Sequence, residues 1–434
     1  YALQRDMARK AMADLSQWQA GALAASGIAA TGQAGAAAAW LRSILPFAER
    51  SAAAWYTLGN AELALGHGPA AHDALERAIR LRQDMVPAHF LLSQMHLPDG
   101  NSRIPRIRRV LRSDAIDTKS RVLLQFALHH ELDHLGEHAG AWDALVAGCR
   151  LQATLEPHNE NEAEQLFQDV CTSSGLLSRR YEAMVGKIEQ DSPRPILIVG
   201  MYRSGSTLLE RMLVGHPQVG SAGECRSLVQ ALRWEADCVG PAFLDRNLAA
   251  KLARVDHGAL ASRYRATLSD LVPGTPLVTD KTNDNYLLAA FVATVIPDAI
   301  ILHTHRHPVD TCFSLLRTHF ARLAPYSYDQ AQLARHYQRY ERLMASWRER
   351  VGDRIHDFAL TVVSDPEAQA KRLCDITGID FHSTMTTPER EGGEIATASA
   401  IRARTKFQSN HHAAWKPYED KIAPMIDALS VATG

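Results

Sequence analysis

From about residue 195 onward, short unbroken apolar runs alternate with helical patterns. Ile196, Leu197, Ile198 and Val199 form one such run, and Ile300, Ile301 and Leu302 form another. Runs this short, apolar at every position, read as buried parallel strands. The pattern predicts strands at 196–200, 276–280 and 299–303, with another near 355–363. Helices are predicted at 206–215, 245–270, 285–295, 309–323, 329–350 and 366–377. In the fourth of these, Val309, Phe313 and Leu316 share one face. Strands alternating with helices specify an α/β fold around a central parallel sheet.

The first 150 residues follow a different rhythm, helical throughout and repetitive. Ala37, Leu41 and Ile44 recur 34 positions later as Ala71, Leu75 and Ala78, and 70 further on as Ala141, Leu145 and Gly148. Leu65-Gly66 reappears as Leu135-Gly136, and Trp55, Leu58 and Gly59 head the clearest unit. A 34-residue period with small and large apolar residues at these offsets is the signature of tetratricopeptide (TPR) repeats. Residues 86–119 hold a degenerate unit, interrupted by Pro98, Gly100 and Pro105. Stacked helix pairs of this kind form a concave surface suited to peptides or partner proteins. Residues 156–192 read as polar helix and linker, ending at Pro193 and Pro195. The expected division is a TPR-like helical region at 1–155, a helical linker at 156–194 and an α/β domain at 195–434.

Length and charge fit this division. A chain of 434 residues accommodates two to three domains. A formal net charge of −1 provides no global field for nucleic acid or an anionic membrane. Six cysteines without CxxC spacing suggest reduced thiols in a cytoplasmic protein, not a disulfide framework or zinc site. No apolar run approaches membrane-spanning length and no signal peptide is visible, though the chain starts at Tyr1. His303, His305 and His307 alternate along a predicted strand edge, which reads as a polar turn beside a ligand site rather than a metal set.

The chemistry concentrates in two blocks. The first, ILIVGMYRSGSTLLE at 196–210, is a strand, a loop with a glycine at each end and a helix start. Loop amides and a helix N-terminus together cradle anions. The spacing is that of the P-loop, G-x-x-x-x-G-K-[ST], except that Ser206 replaces the lysine and Arg203 supplies charge from inside the loop. The site therefore suits an anionic phosphate ester other than ATP. The second block, AIILHTHRHPVDTCFSLLRT at 299–318, places Arg306 at a strand's C-terminal end, where open α/β sheets position ligand groups. Ser314 and Arg317 follow on the next helix, where they could join Arg306 around a second phosphate.

Together the blocks resemble the 3′-phosphoadenylyl-sulfate (PAPS)-dependent sulfotransferases, most closely the bacterial TPR-containing and the tyrosylprotein sulfotransferases. The segments that carry the resemblance are GMYRSGSTLLERML at 200–213, SAGECRSL at 221–228, VTDKT at 278–282, HTHRHPVDTCFSLLR at 303–317, YSYD at 326–329 and TASAIRAR at 397–404. The resemblance implies a P-loop-like α/β sulfotransferase domain. It assigns Arg203, Ser204, Gly205, Ser206 and Thr207 to the 5′-phosphosulfate, and Arg306, Ser314 and Arg317 to the 3′-phosphate. It makes Glu224 the general base and Lys281 the stabiliser of the transferring sulfuryl group, and it places Ser399 near that group. This chain departs from the family at Tyr202, where proline is usual, and at Ser206, where threonine is usual. Ala359 and Leu360 stand where the family has a Tyr-Glu pair, and Ala414 stands where it has a basic residue before Trp415, with Lys416 or Lys406 as substitutes.

The reaction needs such residue types on its own account. An acceptor hydroxyl must lose its proton as it attacks sulfur, and a carboxylate can take it. Charge on the sulfuryl oxygens and the departing phosphate calls for fixed cations and N–H donors. Sulfuryl carries less charge than phosphoryl, so no metal is expected. The expected acceptor is a tyrosine of a peptide or protein presented by the TPR-like region. A small phenol, natural product or glycan is the alternative, and a scaffold with a degenerate nucleotide domain is a third reading. Neither nucleic acid nor membrane is an expected partner, and self-association into a homo-oligomer stays open.

Overall fold

The computed structural model describes residues 34–97, 100–175, 192–359, 365–387 and 413–430. Helices α1 (Ala34–Ala48), α2 (Ala52–Leu65), α3 (Gly68–Leu81), α4 (Val86–Ser93), α5 (Gly100–Leu111), α6 (Thr118–His134), α7 (His138–Leu155) and α8 (Glu160–Gly175) come first. The repeated positions of the sequence are core positions here. Ala37, Leu41, Ala71, Leu75, Ala78, Ala141 and Leu145 are all buried. Gly59 lets α2 lie against α3, since a Cβ there would sit 2.7 Å from Leu75 Cγ. Gly66 and Gly136 end their helices in the left-handed region, with φ of 82° and 78°. Glycine takes that conformation without the Cβ clash other residues suffer.

Strands β1 (Arg194–Val199), β2 (Val219–Ser221), β3 (Leu277–Asp280), β4 (Ile300–His305) and β5 (Ile355–Ala359) form a parallel sheet of order β2-β3-β1-β4-β5. Both faces are covered, which is why the strands are apolar at consecutive positions. Ile196 and Ile198 pack with Leu209 and Met212 of α9 (Ser206–Val214) and with Leu373 further along the chain. Leu197 and Val199 belong to the opposite core. Each fully buried aliphatic side chain of this kind contributes about 1.5–3 kcal/mol.

That second core does not stop at the α/β domain. It runs continuously into Val86, Phe126, Leu132, Leu145, Cys149, Phe167 and Val170 of the helical region. The hairpin of α2 and α3 instead packs in smaller clusters with α1 and α4. Helices from α4 to α8 are thus built onto the α/β layer, while the earlier ones extend from it.

The remaining α-helices among the described residues are α10 (Ser227–Glu235), α11 (Arg246–Ala249), α12 (His257–Leu271), α13 (Ala289–Val295), α14 (Pro308–Leu316), α15 (Gln330–Val351), α16 (Pro366–Thr377) and α17 (Glu419–Ser430). The single helix expected at 245–270 is two. Asp245 and Asp256 each cap a separate start, accepting from Leu248 N and Ala259 N at 2.9 Å. All six cysteines are unpaired. No helix among the described residues is long and apolar enough to cross a membrane.

Candidate active site

The chain leaves β1 toward β2 and β3 on one side, then crosses to β4 on the other. Ligands bind at such a switch, beyond the C-terminal ends of the strands. The loop after β1, Lys281 after β3 and Arg306 after β4 all lie at that edge.

The loop is pinned from both flanks. Gly200 has φ of 139°, and a Cβ there would stand 2.3 Å from Thr304 O, so this position accepts only glycine. Ser204 Oγ and Thr304 Oγ1 lie 2.7 Å apart. On the other side, Asn283 Nδ2 donates to the carbonyls of Gly200 and Met201 at 3.1 Å, and its Oδ1 accepts from Ser206 Oγ at 3.2 Å. Arg203 is held at φ of 69°, and Gly205 caps α9 at φ of 104°. Non-glycine residues in this region cluster at ligand sites. We expect Gly200→Ala to cost about 1–3 kcal/mol from backbone conformation alone, and more from the clash. Gly223→Ala is the control, because its φ is also positive, at 63°, but a Cβ there meets nothing within 4 Å. Thermal unfolding of the two variants checks this, and equal melting temperatures would contradict it.

Arg203 Nε donates to Ser314 Oγ on α14 at 3.0 Å, joining the two sequence blocks. Arg306 is mostly buried; its Nη2 donates to Asp310 O at 2.5 Å, while its Nε is buried without a partner. Burial pushes its guanidinium below its ordinary pKa, and the Asp310 charge opposes that shift. A buried arginine with a spare N–H suits an anionic oxygen. Arg317 instead donates through Nη2 to Asp133 Oδ2 on α6 at 2.6 Å. Thr207 is buried at the start of α9.

Glu224 is brought to Lys281 by an extension of the sheet. Beyond β2, Ala222 N donates to Thr279 O and Lys281 N to Gly223 O, each at 2.9 Å. Ser221 Oγ braces this turn, donating to the buried Glu210 at 2.8 Å and accepting from Gly223 N at 3.1 Å. Lys281 Nζ then meets Glu224 Oε1 at 2.5 Å. The lysine side chain is 1% exposed and the glutamate 40%, so the carboxylate opens outward over a buried cation. Asp280 faces the other way, accepting from Tyr264 OH at 2.9 Å and from Thr282 N at 3.1 Å.

Asp284 is a further carboxylate here. It accepts from Tyr202 OH at 2.7 Å, and burial pushes its pKa up to about 6 against that hydrogen bond and the Arg226 charge. The charge of Glu224 reaches both Tyr202 and Asp284. Neither Asp284 nor Asn283 is among the candidate site residues read from the sequence. Their position three and two residues past Lys281, at a strand's C-terminal end, was the available signal. Of the three histidines, His303 is buried and committed, with Nδ1 on Asp357 at 2.6 Å and Nε2 on Tyr340 OH. Among the described residues no group of His, Cys, Asp or Glu is placed to hold a metal ion. Ser399, Leu360 and Lys406 lie outside the described residues.

Residues 195–383, a little under half of the chain, match the model of the Sulfotransferase family. An uncharacterized protein of Aquifex aeolicus (strain VF5) is 22% identical over 370 residues, 82% of this chain and 48% of its own length. The chain thus spans about half the length of that curated relative. Two solved structures are similar. Sulfotransferase STF9 from Mycobacterium avium is 15% identical, with a TM-score of 0.33, over 74% of this chain and 95% of its own. Sulfotransferase STF1 from Mycobacterium tuberculosis H37Rv is 14% identical, with a TM-score of 0.30, over 75% and 98% respectively.

Proposed function

We propose that the protein transfers a sulfuryl group from PAPS to an acceptor hydroxyl. The observation that carries this reading is the Glu224–Lys281 pair beside a lysine-free phosphate loop. In the proposed reaction the acceptor oxygen bonds to sulfur as Glu224 takes its proton. The bond between sulfur and the bridging phosphate oxygen breaks, and Lys281 steadies the charge left on that oxygen. Arg306, with its unpartnered Nε, and Ser314, tied to Arg203, take the 3′-phosphate. A charge-assisted hydrogen bond is worth about 1.5–3 kcal/mol, so Arg306→Ala is expected to weaken 3′-phosphoadenosine 5′-phosphate about ten- to a hundredfold by calorimetry. ATP and adenosine 5′-phosphosulfate should bind worse than that nucleotide. Equal affinity for all three overturns the assignment.

The preferred acceptor is a tyrosine in a peptide or protein, presented by TPR-like hairpins. The repeated register of α2 and α3 with α6 and α7 supports this. The test is a transfer screen with peptide, phenol and sugar acceptors, on the full chain and on a chain lacking residues 1–81. That cut leaves helices α4 to α8 on the shared core. Loss confined to the large acceptor is expected, and equal loss for all acceptors overturns the presenting role.

A further inference from the structure

We infer that Asp133, on helix α6 of the helical region, is a positioning residue for the half of the site that holds Arg306 and Ser314. The inference rests on the PAPS reading above. The Asp133 carboxylate is shared. Oδ2 accepts from Arg317 Nη2 at 2.6 Å and Oδ1 from Tyr418 OH at 2.5 Å, with a side chain 16% exposed. Arg317 caps the C-terminal end of α14, and its carbonyl also faces His130 Nε2 of α6 at 3.3 Å. At the other end of α14, Asp310 Oδ1 accepts from Ala413 N at 2.9 Å. Ala413 lies five residues before Tyr418, on the same short stretch of chain.

The contacts therefore close a ring: Asp133, Arg317, the length of α14, Asp310, Ala413, Tyr418 and back to Asp133. Both groups proposed above to take the 3′-phosphate hang on it, and Arg317, the third that the resemblance assigns there, is part of it. Ser314 is carried by α14, and Arg306 donates to the carbonyl of Asp310. Aromatic rings pack around the Tyr418 corner, with Phe313 5.3 Å and Trp142 5.9 Å from its ring, and the Arg317 side chain is only 8% exposed. A guanidinium so placed has little access to water once its carboxylate partner is lost, which favours a shift of the helix end that carries it. Small displacements of a binding group carry large losses of affinity. A helix of the repeat region thus sets the geometry of the donor site, and the region is more than a platform for the acceptor.

The test is Asp133→Asn in the full chain, with 3′-phosphoadenosine 5′-phosphate and adenosine 5′-phosphosulfate titrated separately against folded protein. A positioning role moves the ratio of the two affinities. Binding of the nucleotide with the 3′-phosphate should weaken about tenfold and binding of the other less than about twofold. A merely structural role lowers the melting temperature but leaves that ratio unchanged in the folded fraction, and that outcome overturns the inference. Should Asp133→Asn not fold, Tyr418→Phe removes one of the two bonds and keeps the ion pair. It is expected to shift the ratio in the same direction by about two- to threefold, and an unchanged ratio again overturns the inference. If the unaltered protein bound neither nucleotide, the donor reading itself would fall. Binding by the unaltered protein with no change of ratio in the variants removes only the role of Asp133.

Discussion

Glu224→Gln is expected to cut turnover by about 10²–10⁴-fold while leaving 3′-phosphoadenosine 5′-phosphate affinity near normal. The substitution is conservative in shape, because the amide oxygen can still accept from Lys281 Nζ. What disappears is the ability to take a proton. The structure supports that role by placement, since the carboxylate is 40% exposed while its lysine partner is 1% exposed. An acceptor can therefore reach the base without reaching the cation. The variant also leaves a buried lysine beside a neutral group, which costs stability. Activity must be normalised to nucleotide-binding sites, so that lost folding is not counted as lost catalysis. Full activity in the variant would shift the role elsewhere. His303 is a poor successor, with both ring nitrogens engaged. Asp284, raised to about 6 by burial and with one oxygen held by Tyr202 OH, is the next carboxylate to test.

How much of this was legible beforehand depended on how local the cause was. β1, β3 and β4 fall within two residues of their predicted bounds, because each is a buried strand written as an apolar run. β2 spans only Val219–Ser221 at the sheet edge, and three residues with one large apolar side chain carry no period to detect. Helix α17 was missed because Pro424 lies inside it. Helix α14 was expected to reach 323 but ends at Leu316. The apolar pattern continues through Phe320, whose amide instead donates to Tyr328 OH at 2.8 Å, where the chain folds back.

The site divides in the same way. The loop and its glycines were visible because their conformations are set by neighbours in sequence. The partner of Lys281 was not, since Asp280 and Asp284 were nearer along the chain than Glu224. Alternation along the strand turns Asp280 to the opposite face, and Tyr202 occupies Asp284. The Arg317–Asp133 pair spans 184 positions, and nothing local to either residue announces it. Long-range pairing of this sort follows from how the helical region docks, which the repeat pattern leaves open.

Lys281 should show the opposite profile to a simple binding residue. Its ammonium is held in a site from which water is nearly excluded, where a fixed charge acts far more strongly than in solution. Its backbone is tied to Gly223 at 2.9 Å, so the side chain starts from a rigid strand end. A cation fixed in advance stabilises charge that develops only as the bond to sulfur breaks, and needs no rearrangement at that moment. Removing one such stabiliser costs on the order of 10²–10³-fold in turnover. Lys281→Met is the cleaner variant, since methionine fills most of the space and leaves Glu224 with its open side in water. We expect turnover to fall by that factor and affinity for 3′-phosphoadenosine 5′-phosphate to fall much less, because the product in its ground state carries no developing charge on the bridging oxygen. Single-turnover rates and calorimetry on the same preparation separate the two quantities. An equal loss in both would make Lys281 a ground-state binding residue. The double variant with Glu224→Gln then decides whether the two act together, since partners in one step lose far less jointly than the sum of their separate effects.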